Sequence, residues 1–450
     1  MKILEISKSE FDAVCYARNA HIMPMLKEIQ YYRVDGMELY GVIALDITDG
    51  DFGALVLGRD ADKRFRAIEV PTKFYDSPKK AVKDLEHLFA KAISEGSTFE
   101  QGDEKGKPNE LYKIVAKNVS SSFNELTTNP IYSSANEFIG EDVYAYVDVD
   151  GNYIKDFQST GFNARLWELY LYIFLKHQGF EFDNSFNAPD YLVDKFGVTI
   201  ALEATTVNHD AKFDEPYPND ESDIFKLVQD YMPIKFGSSL FSKLQKEYWR
   251  REHVRGKPLI FALHDFHMLE LLYWSQRALR NYLYGSRYKA IFDDGSSKLE
   301  LDARSLPIPE AIARHSYKHK DIPSNFFNQP GAEFVSGVLY CNNATLDTFN
   351  GIGKLAKMGD YKRKIVRVAE TNDLESSSYR PKVMVENVDD KNYEEAWEDT
   401  MCLFHNPNGK HPIPRELFSG ITHCYFDLTE RRWIGPRRAP EILKCWNKYS

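Results

Sequence analysis

Three runs decide the fold. The first is Gly161-Phe162-Asn163-Ala164-Arg165-Leu166-Trp167-Glu168-Leu169-Tyr170-Leu171-Tyr172-Ile173-Phe174-Leu175-Lys176-His177. After Gly179 come Pro189-Asp190-Tyr191-Leu192-Val193 and Val198-Thr199-Ile200-Ala201-Leu202-Glu203-Ala204-Thr205. Asn163 to His177 reads as a helix with almost no polar face, since between Leu166 and Leu175 only Glu168 is polar. A helix apolar on every side is buried, not laid on a surface. Glu168 is then in low dielectric, where a carboxylate is costly unless paired, protonated or bound to a metal. Gly179 fits a helix stop. Pro189 and Asp190 open an apolar strand, Lys195-Phe196-Gly197 a tight turn, and the next strand alternates. Val198, Ile200, Leu202 and Ala204 share one face; Thr199, Ala201, Glu203 and Thr205 share the other. One helix and two neighbouring strands thus bring three acids, Glu168, Asp190 and Glu203, toward one region. The plain structural alternative pairs Glu168 with Arg165 or Lys176 and leaves two ordinary acids at strand edges.

A helix Glu, a Pro-Asp at a strand start and a Glu on the next strand resemble the PD-(D/E)xK, or restriction-endonuclease-like, nuclease superfamily. The resemblance covers roughly residues 155 to 270. The segment from Phe157 to Glu168 is also similar to the opening of uncharacterised bacterial proteins with this core. It implies an α/β fold with a central mixed sheet flanked by helices. It also implies a Mg²⁺-dependent (or Mn²⁺-dependent) endonuclease that hydrolyses phosphodiester bonds, in bacterial or phage-related defence. Asp190 and Glu203 become metal ligands and Glu168 an accessory ligand, with the carbonyl of Ala204 a further one. The family's lysine position holds Thr205, which supplies no positive charge. Residues Ser239 to Arg250 read as an amphipathic helix with Leu240, Leu244 and Tyr248 in one stripe. Lys243, and after it Lys246, are the candidates for a relocated lysine; the bland alternative for both is an exposed basic face.

The remaining chain sets bounds. At 450 residues it is long enough for two or three domains. The expected division is an N-terminal α/β domain over 1–135, the nuclease-like core over 136–330 and a C-terminal α+β extension over 331–450. No apolar run is long enough to span a bilayer, no charged-then-apolar leader opens the chain, and Cys15, Cys341, Cys402, Cys424 and Cys445 show no zinc spacing. These features point to a cytoplasmic protein. The net charge of −10 argues against a protein held to nucleic acid by bulk phosphate attraction, so local patches must decide. Lys243, Lys246, Arg250, Arg251, Arg255 and Lys257 stand against Glu247 and Glu252. Arg277, Arg280, Arg287 and Lys289 interleave with Tyr282, Tyr284 and Tyr288, and Arg431, Arg432, Arg437 and Arg438 surround Trp433. Basic residues mixed with aromatics suit backbone contact plus base stacking, although each cluster read singly is a solvated face. Nucleic acid, DNA before RNA, is the expected partner; a homo-oligomer or a regulatory protein partner stays open.

In the N-terminal part, 42–47 and 52–57 read as a hairpin through Asp49-Gly50, followed by a strand over 65–70. A helix over 78–94 is expected to be capped by Ser77, with Pro78 in its first turn. Residues 143 to 150 read as a strand ending at Asp150-Gly151. Asn208 to Asp223 is an acidic surface excursion suited to gating a substrate. Leu259 to Leu263 reads as a buried central strand, and His264, Asp265 and His267 after it as structural rather than metal-binding. A helix is expected over 268–284 and a strand over 335–341. Gly351-Ile352-Gly353 reads as a helix end, and an acidic helix is expected around Tyr393 to Thr400. Two other functions remain: a catalytically degenerate nuclease-derived module that binds nucleic acid or serves as a scaffold, and a hydrolase using two carboxylates as acid and base, such as a glycosidase.

Overall fold

The computed structural model describes residues 1–450 except 16, 17, 19, 20, 209–226, 268, 288–309, 373–381, 431 and 436–440; of 269–271, 273, 372 and 432 it describes the backbone alone. The fold is mixed α/β. An N-terminal antiparallel sheet runs in sequence order through Ile3–Ile6, Leu26–Val34, Leu39–Asp46, Phe52–Arg59 and Phe65–Glu69. The expected hairpin is its centre. Two strands that lack a clean alternation, Ile3–Ile6 and Leu26–Val34, precede it. The helix Pro78–Glu95 lays Ala81, Leu85, Phe89 and Ala92 on this sheet, forming a core of its own with Ile43, Ala54 and Val56. Ser77 occupies the N-cap position but makes no side-chain capping bond.

The second sheet has eight strands. From one edge they are Arg432–Ile434, Thr422–Asp427, Cys402–His405, Gly337–Cys341, Leu259–Phe266, Val198–Asn208, Tyr191–Lys195 and Glu181–Phe182. Its middle three strands are parallel, while Glu181–Phe182, Tyr191–Lys195 and Val198–Asn208 form an antiparallel meander. Both faces are covered. Ile200, Leu202, Ala204, Ile260 and Ala262 pack on one side against the helix Phe162–His177; Ala201, Val207, Leu259, Phe261 and Leu263 pack on the other against Met232–Leu244 and Leu269–Tyr284. A strand buried on both faces must be nearly continuous in apolar residues, which is what Leu259 to Leu263 displays. The buried helix satisfies its polar atoms internally: Trp167 donates to the carbonyl of Ala262 at 3.0 Å and the Tyr170 hydroxyl to that of Trp397 at 2.9 Å. Gly179, at φ 82, ends it in the left-handed region that favours glycine.

Several expectations are corrected. Residues 143–150 are not a strand; the helix Ser133–Ala145 runs into them, and Asp148 then accepts the N–H groups of Gly151 and Tyr153 at 2.8 and 3.0 Å. Gly351 and Gly353 are not a helix end but lie inside the helix Leu346–Leu355. A Cβ on Gly353 would sit 2.3 Å from the Ser134 carbonyl oxygen, so the glycine permits close helix approach. No helix forms around Tyr393 to Thr400, where turns replace it. Tyr393 and Trp397, four apart, imitate a helical stripe, but Asp399 is drawn to a buried ion pair with Arg367 and Thr400 takes φ 62. The helix expected over Ser239 to Arg250 is instead Met232–Leu244; Glu247, at φ 48, breaks it. The boundary expected at 330 falls inside the eight-stranded sheet, which takes strands from both sides of it. The excursion at Asn208 to Asp223 lies almost wholly outside the described residues. Among the described residues no helix is long and apolar enough to cross a membrane.

Candidate functional site

The site forms where the meander parts. Tyr191 is the last residue of its strand to pair, opposite Leu202. Past that point the Glu203 strand is laddered only on its other side, to Leu259–Phe266. Alternation turns the N–H and C=O of Ala204 toward the gap. Asp190 closes it in part, its Oδ2 accepting the Ala204 N–H at 2.7 Å. Thus Pro-Asp at a strand start does two things: it stops the ladder and puts a carboxylate where a backbone donor would otherwise be orphaned.

Glu203, 4% exposed, points to the face covered by Met232–Leu244. Its Oε1 accepts from two donors, the Lys243 ammonium at 2.5 Å and the Tyr248 hydroxyl at 2.6 Å. Lys243 therefore reaches the strand from the last turn of the following helix, against the position that would face a lysine at 205. Thr205 follows Glu203 by two residues, shares its face and is half-buried. Lys246 lies beyond the helix end and is exposed; the helix stops at Leu244 with its C-cap at Gln245, between the two lysines, so the shared helical face expected for them is corrected. Tyr248, which reads in sequence as one more core residue, keeps its ring in the core and its hydroxyl on Glu203. Burial and the bond to Glu203 push its hydroxyl well above the ordinary tyrosine range.

Glu168, 8% exposed, accepts from Arg165 at 2.6 Å, and Arg165 also donates to Asp156 at 2.8 Å. The pairing of the plain structural alternative is therefore present. Tyr146 approaches the same Glu168 oxygen at 3.5 Å, stacked on Tyr153 at 4.1 Å, and the Tyr191 hydroxyl donates to the Glu168 carbonyl at 2.8 Å. Burial raises the Glu168 carboxyl, Arg165 and Lys243 oppose the shift, and Glu203 adds to it. Asp190 is pushed well up by the protein around it and by the charges of Glu203 and Glu168; Asp190 is also open to water on one side. Water weakens the first cause and leaves the repulsion. Glu168, Asp190, Glu203 and Lys243 thus form one electrostatic unit. Glu168 and Asp190 line a cleft of about 40 Å³ with Arg165, Tyr146, Asp148, Asp183 and Phe186.

The three acids do not form a tight cage. Among the described residues the one acidic trio with ligand atoms all within 4.8 Å of one another is Asp60, Asp103 and Glu104, in the N-terminal unit. That trio is already threaded by Arg64, 2.7 Å from Asp60, and Arg66, 2.8 Å from Asp103. At the other cluster read from sequence, the His264 ring accepts the Ala344 N–H at 2.8 Å and burial pushes its pKa down to about 3, while His267 meets Asp265 at 2.5 Å. These pairings fit the structural role expected of them. The second basic cluster is corrected: Tyr282 and Tyr284 are core residues, and Arg287 pairs with Glu310 at 2.5 Å; Tyr288 and Lys289 lie outside the described residues. In the third cluster Trp433 lies under Arg280 at 4.5 Å, and Arg431, Arg437 and Arg438 lie outside the described residues. Arg250, Arg251 and Arg255 of the first cluster are exposed, next in sequence to Tyr248.

Compared with protein-family models, with curated proteins and with solved structures, the chain matches none.

Proposed function

We propose that the chain is a metal-dependent phosphodiester hydrolase acting on nucleic acid, with Asp190, Glu203 and Lys243 at its centre. The observation that carries this reading is the Lys243 ammonium 2.5 Å from Glu203, at a strand edge where Asp190 replaces the ladder. A group of one lysine and three acids, two of the acids buried, whose charges perturb one another is a feature of working sites more often than of plain scaffolding. The donor set suits a hard cation. It is all oxygen, the crowding that raises Asp190 is negative charge that a cation would relieve, and magnesium takes one or two protein carboxylates plus waters. Asp190, Glu203 and the Ala204 carbonyl would hold it, with Glu168 acting from the next shell through Arg165 or a water. The cation supplies charge neutralisation at the phosphate and a more acidic bound water.

The chain's own residues then have separable tasks. Lys243 holds Glu203 by a charged hydrogen bond and sets one proton-donating group beside the attacked phosphate, the task that Thr205 lacks the charge to perform. Tyr248 fixes the Glu203 carboxylate by its second donor, so that the carboxylate cannot swing away. Arg165 offsets part of the cost of burying the Glu168 carboxyl. The test is incubation of purified protein with supercoiled plasmid, single-stranded DNA and RNA in Mg²⁺, Mn²⁺ or EDTA, with Glu203→Ala alongside. The reading expects cutting that needs metal and disappears in the variant. Cutting that persists in EDTA or in Glu203→Ala overturns it.

A second reading has its own observation. Glu203 is already engaged by two donors and the acids are spread, so the site would serve as a scaffold in a nuclease-derived binding module. It predicts nucleic-acid affinity indifferent to Mg²⁺ and no cutting in any of these conditions.

A further inference from the structure

Beside the acid cleft lies a flat aromatic surface that the proposed chemistry does not use. Phe186 lines the same cleft as Asp190 and Glu168, yet is 40% exposed. Its ring lies on that of His253 with centroids 3.8 Å apart and planes within 8°. The loop before Phe186 and the His253 ring are both anchored. Asp183, three residues before Phe186, ties its N–H to the Leu192 carbonyl at 2.9 Å and caps Ser185 at 3.0 Å. His253 is fixed by its Nε2 contact with the Ala188 carbonyl at 2.9 Å, and the next residue, Val254, is fully buried. Arg251 and Arg255 on the His253 loop are exposed.

An exposed phenylalanine is ordinary by itself. A preformed parallel ring pair, opening on an acidic cleft and flanked by exposed arginines, has a more specific use. Arginines track a phosphate backbone while an aromatic face accepts an unpaired base, a mode indifferent to sequence because every base has a π face. A base stacked in a duplex has no face to offer. Resting on the proposed nuclease reading, we infer that Phe186, backed by His253, is a stacking platform for an unpaired base and that the substrate presented to Asp190 and Glu203 is single-stranded nucleic acid.

The test measures binding of a fluorescein-labelled single-stranded oligodeoxynucleotide, and of the blunt duplex of the same sequence, to the full chain by anisotropy. Ca²⁺ replaces Mg²⁺, and Phe186→Ala, Phe186→Leu and Phe186→Trp are compared after their melting curves show intact folding. The expectation is tighter binding of the single strand, a loss of about tenfold in Phe186→Ala and Phe186→Leu, and retention in Phe186→Trp. Duplex binding should not change. Wild-type single-strand affinity in Phe186→Ala or Phe186→Leu overturns the platform and leaves the nuclease reading standing. No binding of either oligonucleotide by the wild type overturns both.

Discussion

At the scale of single residues, Glu203 is the hinge of the account. It is 4% exposed and carries two donors on one oxygen, so each donor can be removed separately. Lys243→Ala should abolish cutting and also lower stability by about 1–3 kcal/mol, because a charged hydrogen bond to a buried carboxylate is lost. A denaturant midpoint equal to wild type would show that the pair contributes nothing. Lys246→Ala, beyond the helix end, should alter neither. Asp190 gives the pH dependence. Its folded carboxyl is raised above the ordinary 3.8, so across the window above 3.8 the folded state binds more protons than the unfolded one. Stability attributable to Asp190 therefore falls as pH rises through that window. Asp190→Asn in EDTA should melt higher than wild type near neutral pH, and the difference should vanish on acidification; a variant less stable at neutral pH would contradict the crowding. Glu168, Asp190 and Glu203 were legible from type and spacing, Lys243 only through the family resemblance. Tyr248 was not, because a tyrosine in an apolar stripe gives no sign of where its hydroxyl ends.

Among elements, the strongest periodic signals survive and the short ones do not. The buried helix, the Asp190 strand, the Glu203 strand and the strand through Phe261 follow from patterns that burial on one or both faces imposes. Residues 143–150 and Tyr393 to Thr400 misled because side-chain partners decide them: Asp148 accepts N–H groups three and five residues on, and Asp399 is taken by Arg367 from a distant strand. Gly353 carries the same lesson. Read alone, a glycine near Gly351 marks a helix end; in the fold it is the contact that admits the Ser134 backbone. By helix propensity Gly353→Ala should stabilise by about 1 kcal/mol. The close approach predicts the reverse, a loss of about 1–3 kcal/mol by chemical denaturation, since overpacking forces the two helices apart. A neutral or stabilised variant would mean that the helices can slide at little cost.

For the whole molecule, the balance of charge limits how substrate is held. The chain carries −10, and the arginines that stay exposed near the site are few. If two or three phosphates are contacted, affinity for a single strand should fall with salt with a logarithmic slope of about −2. A slope several times steeper would place the main contact elsewhere, on a basic surface outside the described residues. The architecture also explains why domain limits were hard to read. The N-terminal sheet has its own core and is followed by a stretch of polar composition from Gly96 to Glu137, whereas the later strands join the central sheet in an order no local pattern encodes. Pairing across such distances leaves only apolar runs in the sequence, without their neighbours.

The central claim is that Asp190 and Glu203 together hold one divalent cation beside Lys243. Its most direct test is Mn²⁺ titration of the full chain, followed by the electron paramagnetic resonance of free ion. Wild type, Asp190→Asn, Glu203→Gln and Asp60→Asn are compared, the last to control for the acidic trio in the N-terminal unit. The Mn²⁺ site should be lost in Asp190→Asn and Glu203→Gln and kept in Asp60→Asn. Binding unchanged in Asp190→Asn and Glu203→Gln, or lost only in Asp60→Asn, would contradict it.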